Sequence, residues 1–247
     1  MKPIVILLLL SSIFFGCKND SLLSFEPLKI EEKKCDTCPI VKISIPKALE
    51  KNDIDNTINT SLREEIITLL NFDDTTEVNS IEAALASFRN GYAGLMEKFP
   101  EEATKWEATV TGEVIYEDKN VISISLNSYL FTGGAHGYST TRHLNFNKKK
   151  GVELENWELF NTKFDFVKFA EHKFRTQESI PQNAPINSTG FMFEEGVFLL
   201  PENIGYTHNG LELLYNQYEI APFTEGPITL TIPYKEAKKY LQIPLPN

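Results

Sequence analysis

Histidine is the side chain best suited to moving protons near neutral pH, and one of the four in this chain, His136, stands in an unusual setting. It lies in the run Thr132-Gly133-Gly134-Ala135-His136-Gly137, where three glycines in five residues permit backbone angles closed to other residues and close approach by another chain. His143 follows seven positions on, and the acids Glu153 and Glu155 complete a set that would serve as base and orienter. No nucleophile turn of the Gly-x-Ser-x-Gly kind and no His-Glu-x-x-His pair accompanies them. A phosphate cradle is also excluded, because such loops lead into a helix N-terminus, whereas strand-like alternation flanks these glycines on both sides. Three roles therefore stay open for His136: catalyst of an unrecognised hydrolase or deacetylase, member of a binding loop, or hydrogen-bonding residue of the turn. His172 sits among charged helix neighbours and is expected on the surface, and His208-Asn209-Gly210 has the composition of a hairpin turn.

Aromatic residues form the second candidate group. Tyr206, Tyr215, Tyr218, Pro222, Phe223 and Tyr234 crowd into a short C-terminal stretch, partly on loops. Tyrosine offers rigid area and a hydroxyl to a partner, although the same residues serve equally as core. The ligand-binding candidates are His136, Tyr218, Pro222 and Phe223.

The three cysteines divide by position. Cys17 follows Gly16 at the end of an apolar run, Ile4 to Phe15, that begins after Met1-Lys2 and is too short to span a bilayer comfortably. This is the form of an export signal, and its end resembles a bacterial lipoprotein cleavage site, with Cys17 as the lipid anchor. Cys35 and Cys38 remain as a pair in an oxidising compartment, with three readings open. A local disulfide is the first. Redox chemistry would want the first cysteine at a helix N-terminus, but Pro39 and the strand-like Ile40 to Ile45 follow. A zinc site would need a second close Cys or His pair, which the chain lacks.

Of 247 residues, 42% are hydrophobic and 23% charged, which suits a folded chain with one large or two small cores. The formal charge of −10, without a basic cluster, argues against a nucleic-acid partner. No cofactor or metal is implied.

The elements that position these residues follow from periodicity. Lys18 to Lys34 has no sustained period and reads as a tether. Val41, Ile43 and Ile45 alternate with polar residues as a half-buried strand. Asn52 or Asp53 caps a helix with the stripe Ile54, Ile58, Leu62, Ile66 and Leu69. A second helix begins near Asn79, with Glu82 in a capping-box position and the stripe Ile81, Leu85, Phe88, Tyr92, Leu95 and Phe99. Period-two alternation then predicts a hairpin over 108–130, another strand over Thr140 to Phe146, and a lysine-tipped loop at Lys148-Lys149-Lys150. Thr162 caps a third helix that turns Phe166, Phe169, Ala170 and Phe174 inward. Gln182 to Gly190 is expected to be a mobile loop. Short strands are expected around 191–193, 197–199, 204–207, 211–215 and 228–232, and a closing helix over 234–241. This is an α+β pattern, with helices packed on antiparallel sheets in two consecutive small subdomains.

Three segments carry a family resemblance: Phe131-Thr132-Gly133-Gly134-Ala135-His136-Gly137; Leu144-Asn145-Phe146-Asn147 with Gly151 and Trp157-Glu158-Leu159-Phe160; and Tyr218 to Pro227 with Ile232-Pro233-Tyr234. Together they resemble the extracytoplasmic domain of the RsiV-like family, whose best-known member is an anti-sigma factor that recognises lysozyme. The part from Val41 through Leu69 is similar to the small domain beside the catalytic domain of the peptidoglycan deacetylase PdaC. The export signal and Cys17 set a signal peptide at 1–16 and a lipid-anchored tether at 17–35, and the resemblance implies a PdaC-like domain at 36–137 and an RsiV-like domain at 138–247. The chain shows no sigma-binding segment, spanning helix or deacetylase domain. The expectation is therefore a noncatalytic lipoprotein of the outer membrane or cell surface that binds a lysozyme-type muramidase or a peptidoglycan fragment.

Overall fold

The computed structural model describes residues 22–32, 35, 38–72, 78–100 and 104–245. The expected signal peptide at 1–16 and the expected lipid anchor Cys17 lie outside the described residues. Among the described residues, nine strands form two sheets. The first has six strands in sequence order, namely β1 (Phe25–Glu31), β2 (Ile40–Ala48), β3 (Glu107–Glu117), β4 (Val121–Phe131), β5 (Tyr138–Asn147) and β6 (Val152–Leu154). The second sheet holds β7 (Asn203–Thr207), β8 (Gly210–Tyr215) and β9 (Ile228–Ile232). All pairs are antiparallel except β2 with β3. A parallel pair needs a long crossover, and here helices α1 (Asp53–Leu70) and α2 (Ile81–Lys98) supply it.

The tether expectation fails over Phe25–Glu31, which is edge strand β1 paired to β2 along its length. Its apolar signal is only Phe25, Leu28 and Ile30, and Pro27 interrupts the alternation. An edge tolerates proline because one side of the strand makes no ladder bonds. The expected domain division between residues 137 and 138 falls inside the first sheet, since β5 pairs with β4 from Tyr138 onward.

The first core lies between that sheet and the two helices. Asn52 caps α1, its side-chain oxygen accepting from the Asp55 N–H at 3.0 Å. Ile54, Ile58, Leu62, Ile66 and Leu70 bury one face against Val41, Ile43, Val110, Ile124 and Leu126. The cap of α2 is Ser80 rather than Asn79, with its hydroxyl accepting from the Ala83 N–H at 3.1 Å. Leu85, Phe88 and Tyr92 are buried as the stripe requires, and Trp106 packs its ring on both aromatics. Phe99, at the end of the stripe, is 51% exposed because the helix has ended there.

The second core gathers α3 (Lys163–Gln177), the three-stranded sheet and the short α4 (Tyr234–Ala237) around Phe166, Phe174, Phe193, Tyr206 and Tyr215. The closing helix is thus shorter than the expected 234–241. The segments near 191–193 and 197–199 are irregular, not strands. Their backbone is satisfied singly: the Asn187 side chain bonds both the N–H and the carbonyl of Phe193 at 2.9 Å, and the Met192 N–H donates to the Ile220 carbonyl. The loop expected to be mobile is tied down as well. Arg175 Nη1 donates to the carbonyls of Pro181 and Ala184, and Ile186 is buried.

A polar seam joins the two units. Asn145 on β5 accepts from the Ser123 hydroxyl and donates to the Ile204 carbonyl at 2.6 Å, and the Tyr206 N–H donates to the same Ser123 oxygen at 3.2 Å. All three side chains are buried. Buried polar groups of this kind hold a fixed orientation because breaking any one bond strands the others.

Candidate functional site

The glycine turn between β4 and β5 is shaped as its composition requires. Gly133 and Gly134 take φ of 107° and 88°, in the region that favours glycine. This places His136 on the surface, with Nδ1 3.2 Å from the Gly137 carbonyl oxygen. Its ring stacks on Phe223, with centroids 4.3 Å apart and planes 18° from parallel. Tyr218 lies on the other side of that partnership, 5.4 Å from the Phe223 ring and 52% exposed. Pro222 is exposed at the start of the single turn Phe223–Glu225. Three of the four ligand-binding candidates therefore meet through their rings, and the fourth adjoins them. Among the described residues, no carboxylate bonds to His136.

The other C-terminal aromatics are structural. Tyr206 and Tyr215 are buried, Tyr215 donating its hydroxyl to the Leu199 carbonyl at 2.6 Å, and Tyr234 donates to the Thr207 carbonyl at 2.7 Å. Burial pushes all three phenols well above their ordinary range.

The loop carrying Tyr218 covers the free edge of β5. The side chain of Asn216 imitates a neighbouring strand, its Oδ1 accepting from the Thr141 N–H at 2.8 Å and its Nδ2 donating to the Thr141 carbonyl at 3.0 Å. The Tyr138 hydroxyl donates to the Gln217 carbonyl at 3.2 Å. Tyr218 itself has φ of 67°, a strained angle for a bulky residue, held by these flanking bonds. Glu219 closes the turn by accepting from the N–H groups of Asn216 at 2.8 Å and Glu202 at 3.3 Å. Partial burial raises its carboxyl pKa, those two donors offset part of the rise, and the charge of Glu202 adds to it.

Below Tyr218 opens a cleft of about 880 Å³, lined by Tyr138, Met192, Leu199 and Tyr218 together with Glu65, Glu194, Glu202, Glu219 and Arg142. Met192 and Leu199 are 49% and 51% exposed, an apolar strip inside a rim that is acidic on balance. Arg142 is engaged by Glu65 at 3.2 Å.

The expected partnership of His143 with Glu153 or Glu155 is not formed. His143 points into the seam between the units, where its Nε2 lies 3.0 Å from Glu212 Oε1 and its side chain is 3% exposed. Glu153 accepts instead from the Ser61 hydroxyl on α1, and the Glu155 N–H donates to Glu158 in the turn Asn156–Leu159. His172 is exposed on α3. Cys35 and Cys38 are joined in a disulfide before β2. No group of three or more His, Cys, Asp or Glu among the described residues is placed to hold a metal ion.

Two family models match this architecture in chain order. Residues 31–139 match deacetylase PdaC, and residues 158–235 match a protein of unknown function, DUF3298. The chain is thus similar to PdaC in its first part and to DUF3298 in its second, the two-part order that its motifs resembled. A DUF3298 family protein from Pseudomonas aeruginosa PAO1 shares the fold with a TM-score of 0.64 at 23% identity, over 90% of this chain and 96% of that one. A DUF3298 family member from Bacteroides fragilis superposes with a TM-score of 0.69 at 18% identity, over 91% and 95% of the two chains. No curated protein matches the chain.

Proposed function

We propose that this protein is a noncatalytic, lipid-anchored binding module of the cell envelope whose partner is a basic enzyme of the lysozyme type. The observation that carries the reading is the stack of His136, Phe223 and Tyr218, of which Tyr218 lines an acidic cleft with an apolar strip. Exposed aromatics clustered on a braced loop provide the rigid anchors that protein interfaces concentrate their energy on. The acidic rim and the chain charge of −10 would draw a basic partner by long-range attraction. The likeness of the His136 and Tyr218 segments to the RsiV-like domain supports lysozyme as the class, and Cys17 after its apolar run supports the anchor.

Calorimetry against several lysozymes, other muramidases and soluble muropeptides tests the partner. Saturable heat with a lysozyme supports the reading, and heat with muropeptides alone replaces the protein partner by a wall fragment. Turnover of muropeptides that disappears in His136→Ala would make the protein an enzyme. For the anchor, metabolic palmitate labelling should vanish in Cys17→Ala.

A further inference from the structure

A second surface, separate from the aromatic stack, has a different chemistry. On the face of the first sheet turned away from α1 and α2, the outer ends of β3, β4 and β5 present two adjacent rows. One is Thr109, Tyr129 and Ser139, and the other is Thr111, Asn127 and Thr141, each set aligned by the strand register. Their neighbours Ala108, Val110 and Leu126 point into the core, so alternation turns all six outward. Together with Asn216, Gln217 and Pro227, they line a recess of about 300 Å³ in which no side chain is charged.

The recess is ordered in advance of any ligand. Asn216 is fixed to Thr141 by its two bonds, and the Thr141 hydroxyl donates to Asn127 Oδ1 at 2.9 Å, which fixes the Asn127 amide as well. The hydroxyls of Thr109, Thr111 and Ser139 have no protein partner among the described residues. Tyr129 packs directly on the backbone of Gly137, where a β-carbon would come within 2.4 Å of the ring, yet it keeps 36% exposure. The ring is thus backed on one side and available on another.

We propose that this recess binds a neutral oligosaccharide. The hydroxyls and amide of a sheet face exchange hydrogen bonds with sugar hydroxyls in either direction, since each hydroxyl both donates and accepts. A held tyrosine ring offers the flat apolar surface that the C–H face of a pyranose covers. The absence of a fixed charge disfavours anionic polymers and basic peptides alike. Three strands span roughly 10 Å, the length of about two sugar rings. A few neutral hydrogen bonds and one stacked ring place the dissociation constant on the order of 10 µM to 1 mM.

The test is a titration of the purified protein with cellohexaose and chitohexaose, beside anionic oligogalacturonate, read by calorimetry and by NMR shifts. At least one neutral oligosaccharide should bind, with the dissociation constant unchanged by salt between about 0.05 and 0.5 M, and the anionic one should not. Tyr129→Ala and Asn127→Ala should each weaken binding about tenfold, with melting temperature measured alongside because both side chains also pack or bond within the fold. Thr111→Val, which exchanges only a hydroxyl for a methyl, should weaken it about threefold without any folding ambiguity. No binding of either neutral oligosaccharide, binding stronger for the anionic one, or binding that ignores Thr111→Val and Asn127→Ala would overturn the proposal. The lysozyme reading is carried by the rings of His136, Phe223 and Tyr218, none of which lines the recess, and stands or falls separately in its own titration.

Discussion

Gly205 of β7 lies so close against the imidazole of His143 on β5 that a β-carbon there would come within 2.9 Å of the ring Cγ. The contact joins the three-stranded sheet to the six-stranded one, beside the buried bonds of Ser123 and Asn145. His143 cannot swing away without losing Glu212 at 3.0 Å. Gly205→Ala should therefore destabilise the fold by about 1–3 kcal/mol, the usual cost of overpacking. Denaturant melts check this. A variant as stable as the parent would show that the seam is looser than these distances imply.

Asp55 has no exposed surface, and neither carboxylate oxygen has a hydrogen-bond partner. Burial raises its pKa above the ordinary 3.8, the nearby backbone of Asn52 offsets part of that, and the charges of Glu50 and Glu117 add to the rise. The folded state thus holds the proton more tightly than the unfolded chain, so the contribution of Asp55 to stability is greatest below 3.8 and declines as pH rises through the folded value. Asp55→Asn removes the titration. Its stability relative to the parent should be more favourable at pH 7 than at about pH 4, and equal differences at the two pH values would refute the assignment.

The helices are legible because their stripes are long: Ile54, Ile58, Leu62 and Ile66, and Leu85, Phe88 and Tyr92, repeat over several turns and are buried as the period requires, although the last buried position of α1 is Leu70 and the expected Leu69 is only partly buried. Edge strand β1 is not legible, because three apolar residues interrupted by a proline carry too little period to be seen. The stretches near Phe193 and Leu199 have strand composition, but their bonds come from Asn187 and Ile220 rather than a ladder. Residue type singled out His136, Tyr218 and Phe223, whereas their stacking depends on how β5 and the 216–225 loop fold together. The role of His143 was hidden for the same reason, since its partner Glu212 is sixty-nine residues away in sequence. The uncharged recess had no sequence signal at all, because Thr109, Asn127 and Ser139 look like ordinary outward strand positions until register aligns them.

The Cys35–Cys38 disulfide closes a very small ring. Such a ring restricts the unfolded chain little, so Cys35→Ser with Cys38→Ser should cost at most about 2 kcal/mol. Thiol titration of unfolded, unreduced protein should find neither sulfur free. A much larger loss of stability would mean that the bridge also organises β2, which begins two residues later at Ile40.

The aromatic stack separates specific recognition from charge attraction. Association driven by charge alone would fade as salt shortens the Debye length to roughly 5–6 Å near 0.3 M. Anchoring by Phe223 and Tyr218 would persist, because buried aromatic contacts are little affected by screening. Binding of a lysozyme-type enzyme should therefore survive about 0.3 M salt, and Phe223→Ala or Tyr218→Ala should weaken it by at least about 1–2 kcal/mol. Tyr218→Gly makes the readout sharper. Glycine relieves the strained φ of 67°, so this variant should fold at least as stably as Tyr218→Ala while lacking the ring. Equal loss of binding in both variants would assign the effect to the ring rather than to a disturbed loop. Binding that collapses with salt and ignores these substitutions would leave only nonspecific attraction between an acidic protein and a basic one.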